Sequence, residues 1–246
     1  MIRSALLAAA VAAMASSAGA ATIVMNGDFE TVDDRAGLTV GGSDGDALNS
    51  LSGSTGRASW DVYDTLPGGW ANAPERGNGI EVQTNGTLRG VTAHSGSHYI
   101  ELDSERGDGV GPNSNMSQAI SLTAGTYDLR FWYMKRPGGS SAASNRIAVN
   151  IWDSLLDRNP LFDELLIHPS TLSGRVENGW TEIVHRFTVT EDYDNALLLF
   201  AARGRQDELG GLIDTVSISA VPLPAGVLLL LSGVAGMGAM RRRKKS

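Results

Sequence analysis

The sequence predicts an all-β ectodomain, an antiparallel β-sandwich, and three observations carry that expectation. Short runs of alternating apolar and polar residues recur along the chain, turn-forming Gly, Asn, Asp and Ser clusters separate them, and helical periodicity is weak throughout. Strict alternation places every second side chain on one face of a pleated strand, so each run offers one face to a core and one to solvent.

From the N-terminus, Met1-Ile2-Arg3 supplies a positive start, residues 4–15 an apolar stretch too short to span a bilayer comfortably, and Ser16–Ala20 ends in the small-x-small pattern that signal peptidase cuts. Residues 1–20 are therefore expected to be a cleaved signal peptide and residues 21–220 the exported ectodomain. Residues 33–59 lose the alternation and become rich in Gly, Ser and Asp, which predicts a long surface loop or insertion. Strands are expected at WDVY (60–63), GIEVQ (79–83), HYIELD (98–103), YDLRFWYM (127–134), RIAVNIW (146–152), TEIVHRFTV (181–189), NALLLFAA (195–202) and GLIDTVSIS (211–219). DSLLDRNPLFDELLI (153–167) has room for one or two short helical turns broken at Pro160. No repeat of solenoid or propeller period is present, so one domain is expected between two targeting segments.

The chain has no cysteine, which excludes a disulfide framework, thiolate metal sites and cysteine nucleophiles. Six of its 20 Lys and Arg lie in the signal peptide and the basic end, leaving 14 against 27 Asp and Glu, a net charge near −13. Such a surface repels nucleic acid, which is excluded as a partner, and suits cations or neutral ligands.

Motifs that carry chemistry are few. Gly41–Gly45 has the G-x-S-x-G spacing around Ser43, but a nucleophile elbow needs a parallel sheet with crossover helices and nothing downstream supplies one. His94 and His98 flank Ser-Gly-Ser and read as a loop entering a strand, with no further His or Cys nearby to complete a zinc site. Glu101 and Asp103 point to one face of their strand, and a glycoside hydrolase would need such a carboxylate to face another across a cleft. The acidic stretch from Asp44 fails the EF-hand template, because Thr55 stands where a bidentate Glu is required. Calcium held by carboxylates from distant strands is the cofactor expectation, with Asp28, Glu30 and Asp214 as its ligands.

The order of short motifs, NGDFE (26–30), GIEVQ, HSGSHYIELDS (94–104), YDLRFWYMKRPG (127–138), RIAVNIW, GW before TEIVHRFTV, and LIDTVSI (212–218), resembles the galactose-binding-like jelly rolls, which include carbohydrate-binding modules. The resemblance covers most of residues 22–219. It implies neighbouring first and last strands, with a structural calcium where an acidic residue of the opening motif, Asp28 or Glu30, meets Asp214. The long insertion after Glu30 departs from that pattern.

The C-terminal residues 221–246 order a proline motif, an apolar run and a basic cluster. Val221, Pro222, Leu223, Pro224 and Ala225, then 225–240, then the five basic residues 241–245, resemble the VPLPA variant of the PEP-CTERM sorting signals. Sixteen residues give about 24 Å of helix, somewhat short of a ~30 Å hydrocarbon core, and the cationic end stops transfer. The resemblance implies a transmembrane helix that holds the protein in the inner membrane of a Gram-negative bacterium until an exosortase-type enzyme cuts near 222–225. Release to the cell surface or extracellular matrix follows.

The functional expectation is a non-catalytic protein of the extracellular polysaccharide or biofilm matrix that binds glycan. A structural adhesin without a glycan ligand and a glycoside hydrolase are the alternatives. If Leu129, Phe131 and Tyr133 face the core, Arg130 and Trp132 face outward; if Ile147, Val149 and Ile151 face the core, Asn150 and Trp152 face outward. The two strands are expected to be neighbours, so Arg130, Trp132, Asn150 and Trp152 together form the expected glycan-binding face.

Overall fold

The computed structural model describes residues 23–32, 40–41, 60–72, 79–103, 113–138, 141–207 and 209–222, and all its regular elements are strands. In chain order these are β1 (Val40–Gly41), β2 (Trp60–Tyr63), β3 (Thr65–Leu66), β4 (Trp70–Asn72), β5 (Ile80–Thr84), β6 (His98–Leu102), β7 (Asn115–Leu122), β8 (Gly125–Met134), β9 (Ile147–Trp152), β10 (Leu165–Ile167), β11 (Val176–Glu177), β12 (Trp180–Val189), β13 (Tyr193–Ala202) and β14 (Gly211–Ala220). They build two antiparallel sheets. One runs β1-β2-β5-β6-β14-β8-β12-β11 and the other β10-β9-β13-β7-β4-β3. The expected antiparallel sandwich is the fold.

Alternation explains the packing. Leu129, Phe131 and Tyr133 of β8 and Ile147, Val149 and Ile151 of β9 all enter the core between the sheets, with Phe131 and Phe200 edge to face at 5.2 Å. The opening segment 23–32 closes one side of this core. Phe29 is fully buried against Trp70, whose indole Nε1–H donates to the Met25 carbonyl at 3.0 Å. The stretch 153–167 holds no helix: it forms a turn at 155–157, a bridge at Pro160 and then β10.

A second, smaller cluster lies on the outer face of the eight-stranded sheet: Val91, Tyr99, Trp132, Met134, Trp180 and Leu212. It exists because the segment between β5 and β6 crosses that face, and Trp180 Nε1–H donates to the Thr92 carbonyl at 2.8 Å. The signal peptide, the loop 33–59 beyond Val40–Gly41, and the apolar run and basic end of the tail lie outside the described residues. Among the described residues no helix is long and apolar enough to cross a membrane.

Candidate functional site

The four residues expected to share one face occupy two. Arg130 and Trp132 stand on β8 in the eight-stranded sheet, while Asn150 and Trp152 stand on β9 in the six-stranded sheet. Each pair does point out of the core, but the chain changes sheets between Met134 and Ile147. The pairs therefore lie on opposite outer faces of the sandwich. Periodicity of two fixes which face a side chain takes; it says nothing about which strand becomes its neighbour.

On the first face, Trp132 is packed away. Only 7% of it is exposed, the His94 ring stacks on the indole at a centroid distance of 3.9 Å, and the Arg175 guanidinium lies 5.7 Å from the ring centroid. Burial holds the His94 pKa below its ordinary value. Arg130 bridges Asp128 and Glu182, each at 3.2 Å. Arg186 adds two bonds to Asp128, at 2.8 and 3.0 Å, and with Arg130 lowers its pKa. This is a charged lattice on a covered tryptophan, with no open aromatic platform.

The second face holds the more exposed of the two tryptophans. Trp152 is half-buried at the end of β9, beside Leu197 of β13 and bridged to Pro160. The turn that follows is locked by its own side chains. Asp153 Oδ1 accepts the Ser154 and Asn159 N–H groups at 2.7 and 3.0 Å, and its Oδ2 accepts Asn159 Nδ2 at 2.8 Å. Arg158, at φ +55°, lies with its guanidinium 5.4 Å from the Trp152 ring centroid. A non-glycine residue in the left-handed region is uncommon, and here it is what turns Arg158 back over the indole. Two residues before Trp152 on the same face, Asn150 Nδ2 donates to Glu164 Oε2 at 3.2 Å, and Arg203 Nη2 donates to the same oxygen at 3.2 Å. An indole thus stands beside a carboxamide, a carboxylate and a guanidinium, on a sheet rather than on a loop.

The expected calcium ligands do not assemble. Asp28 is exposed, whereas Glu30 and Asp214 are engaged by backbone N–H groups of one loop. Asp214 Oδ2 accepts from His94 and Ser95 at 2.7 and 3.0 Å; Glu30 Oε1 accepts from Ser97 and His98 at 2.8 and 2.7 Å. Amide hydrogens aimed at these oxygens supply the positive charge that a cation would bring, and a cation site calls for carbonyl oxygens in their place. Among the described residues no group of three or more His and carboxylate side chains is placed to hold a metal ion. Burial pushes the Asp214 pKa up to about 7, against the lowering by its amide donors. Burial also raises Glu30, but the His98 side chain and the Ser97 and His98 amides outweigh it and leave its pKa below the usual value.

One cluster was not anticipated. Glu101, expected to face solvent or a cleft, is 1% exposed and stands directly across the ladder from Glu81, 5% exposed. Gln83 Nε2 donates to both carboxylates, Arg136 Nε pairs with Glu101 Oε1 at 2.7 Å, and the Gly210 N–H donates to the same oxygen at 2.9 Å. Burial and then the Glu81 charge raise the Glu101 pKa well above the usual value. Both carboxylates are buried and bonded within the protein, and neither faces solvent. The sequence signal was present in the similar I-E-V and I-E-L contexts of β5 and β6, but only their pairing shows that the two acids meet.

Of the sorting motif, Val221 and Pro222 are described. Val221 N–H donates to the Thr126 carbonyl at 2.8 Å, and Leu223, Pro224 and Ala225 lie outside the described residues. β14 thus ends two residues before Pro222.

No family model matches the sequence, and no curated protein shows significant similarity to it. Solved structures of similar shape include a cyclase from Fischerella sp. TAU, at 18% identity over 83% of this chain and 100% of that one, with a TM-score of 0.49. The K1 cleaved adhesin domain of Lys-gingipain from Porphyromonas gingivalis W83 is similar at 19% identity over 68% of this chain and 99% of that one, TM-score 0.42. TmCBM61, solved in complex with β-1,4-galactotriose, is similar at 17% identity over 62% of this chain and 88% of that one, TM-score 0.40. At these scores no residue role passes from those proteins to this chain.

Proposed function

We propose that this is an exported, non-catalytic glycan-binding protein that holds sugar on the outer face of the six-stranded sheet at Trp152. The observation that carries the reading is the half-buried Trp152 indole, more exposed than Trp132, at the end of the strand that carries Asn150, whose carboxamide shares Glu164 with Arg203. The C–H groups of a sugar ring pack on an indole, while a few fixed polar groups bond its hydroxyls. Glu164 Oε2 is taken by Asn150 and Arg203, which leaves Oε1 to accept from a ligand hydroxyl.

In this reading the ligand is the extracellular polysaccharide of the producing cell. The tail holds the protein in the inner membrane until an exosortase-type enzyme cuts near 222–225, and the ectodomain then joins the surface matrix. The basic cluster 241–245 and the apolar run 225–240 support that route. The test is sedimentation of the protein with the producer's own polysaccharide, for wild type, Trp152→Ala and Asn150→Ala. Binding by wild type and its loss in both variants supports the site. Equal binding in all three would reject it, and no binding by wild type would reject the glycan reading.

A further inference from the structure

The turn that follows β9 is fixed by polar groups and tipped with leucine. Besides the bonds to Asp153, Ser154 Oγ accepts the Asp157 N–H at 3.0 Å and Arg158 Nε donates to the Leu155 carbonyl at 3.1 Å. At the apex Leu155 is 44% exposed and Leu156 90%, the most exposed large apolar side chain among the described residues. Neither joins a core cluster. A lone exposed leucine needs no explanation. Two in succession, at the tip of a turn whose shape Asp, Ser and Asn side chains already set, stand where turns ordinarily carry polar residues.

The ladders place this tip at one end of the sandwich. The short connections from Leu122 to Gly125 and from Val189 to Tyr193 join the two sheets there, and β9, antiparallel to β13, runs toward that end. The Tyr193 hydroxyl donates to Glu191 Oε1 at 2.9 Å, which raises its pKa, and the Asp153 charge raises it further, so the turn begins close to Tyr193. β14 ends at the same place. Ala220 pairs with Tyr127, and the Val221 N–H with the Thr126 carbonyl, at the beginning of β8. From Pro222 the chain has three residues to the first of the apolar run 225–240, a reach of about 11 Å at full extension. The end of the sandwich that carries Leu155 and Leu156 is thus the end from which the tail departs.

We infer that Leu155 and Leu156 enter the lipid bilayer that holds the tail, so that the uncut protein meets the membrane at a second point. This rests on the anchoring proposed for residues 225–240. Two leucines are too few to hold a domain on a bilayer, but the short tether makes their contact intramolecular, and a turn fixed beforehand loses little freedom on entering. Asp157, Glu191, Asp192 and Asp194 are exposed at the same end and repel anionic headgroups, so the lipid that fits is zwitterionic.

The chain has no cysteine, so Leu156→Cys places a single nitrobenzoxadiazole fluorophore at the tip. Val176→Cys places a matching one on β11, 67% exposed and beside the start of β12, at the opposite end of the sandwich. Each full-length chain is reconstituted in phosphatidylcholine vesicles with and without lipid bearing a nitroxide quencher near its headgroup, and flotation separately records anchoring. Both chains are expected to float. The tip probe should lose at least about half of its emission to the quencher, as a group at the 5–10 Å depth of interfacial apolar residues does, and the Val176 probe far less. Adding Leu155→Glu to the tip-labelled chain should restore most of that emission without loss of flotation. Floating chains with no quenching at the tip, equal quenching at both positions, or quenching unchanged by Leu155→Glu would overturn the inference and leave the anchored tail standing. Chains that do not float would overturn the anchoring and the inference with it. A tip probe whose emission shifts to the blue but which the lipid quencher does not reach would also overturn it, and would assign the tip to a second copy.

Discussion

Glu30 and Asp214 hold the same five-residue stretch from its two ends, Asp214 on the amides of His94 and Ser95 and Glu30 on those of Ser97 and His98. One acid comes from the opening segment and the other from the last strand. Together they fix the loop that covers Trp132 and Trp180.

Removing either acid should therefore release this loop. Asp214→Ala leaves the partly buried His94 and Ser95 N–H groups, along with that of Thr215, without this acceptor, and hydrogen bonds to a charged group contribute about 1.5–3 kcal/mol each. A loss of roughly 3 kcal/mol is expected, read as a fall of about 10 °C in melting temperature for a domain of this size. Added calcium should not restore it. Restoration by calcium would return Asp214 to the cation role first expected of it.

Between the two grips lies Gly96, at φ +63°, where an added Cβ would stand 2.3 Å from the Glu30 carboxyl carbon. Gly96→Ala should cost at least about 1 kcal/mol from the backbone alone. It should also displace Glu30, so that His98 and Ser97 lose amide protection in hydrogen exchange. Unchanged protection would mean that Glu30 does not depend on this approach.

Stability should rise as the solution is acidified from pH 8 to about 5. Burial raises the Asp214 pKa to about 7 and moves Glu101 and Asp61 upward as well. A carboxyl whose folded pKa exceeds its unfolded value favours the fold fully below the unfolded value, near 4, and loses that contribution as pH climbs through the folded one. For Asp214 the difference between the two ends is on the order of 4 kcal/mol. His94 and His185, lowered by burial, oppose the trend, since their contribution is present above the unfolded value and lost as pH falls. Three raised carboxyls, Asp214 among them at about 7, should outweigh them. Urea midpoints at pH 5, 6.5 and 8 measure this, and a midpoint that climbs with pH would reject the burial argument.

The Glu81–Glu101 pair offers a separate check. Glu81→Gln removes one of two facing charges but keeps an oxygen to accept from Gln83. At pH 8 it should stabilise by about 1 kcal/mol, and by less as the pH falls and the pair takes up a proton. A destabilisation at pH 8 would show that the second charge is better compensated than the geometry of Arg136 and Gly210 implies.

The alternation of YDLRFWYM and RIAVNIW was enough to place six side chains in the core and four outside it, because the face of a strand is a local property of its pleat. Whether β8 and β9 lie side by side is a property of the turn between them, and Arg136–Arg146 carries no signal for a change of sheet. The same limit hid Glu81 from Glu101, 20 residues apart and directly opposed. Trp132 was misread for another reason. Its outward direction was right, but a loop 38 residues earlier returns to cover it with His94. Trp70 and Trp180 are both fully buried.

These two outward tryptophans should now separate binding from stability. Trp132 is enclosed by His94, Arg175 and the outer cluster, so Trp132→Ala opens a cavity and should destabilise by about 3 kcal/mol, with polysaccharide binding per folded molecule unchanged. Trp152 is half-buried, more exposed than Trp132, on a strand whose inner face carries the packing. Trp152→Ala should therefore cost less than about 1.5 kcal/mol but weaken binding by about tenfold, which is 1.4 kcal/mol of affinity. Thermal melts and sedimentation with polysaccharide measure both quantities on the same samples. If Trp132→Ala, scaled to its folded fraction, lost binding while Trp152→Ala kept it, the glycan face would belong to the eight-stranded sheet. The loop bearing His94 would then have to move aside to admit the sugar.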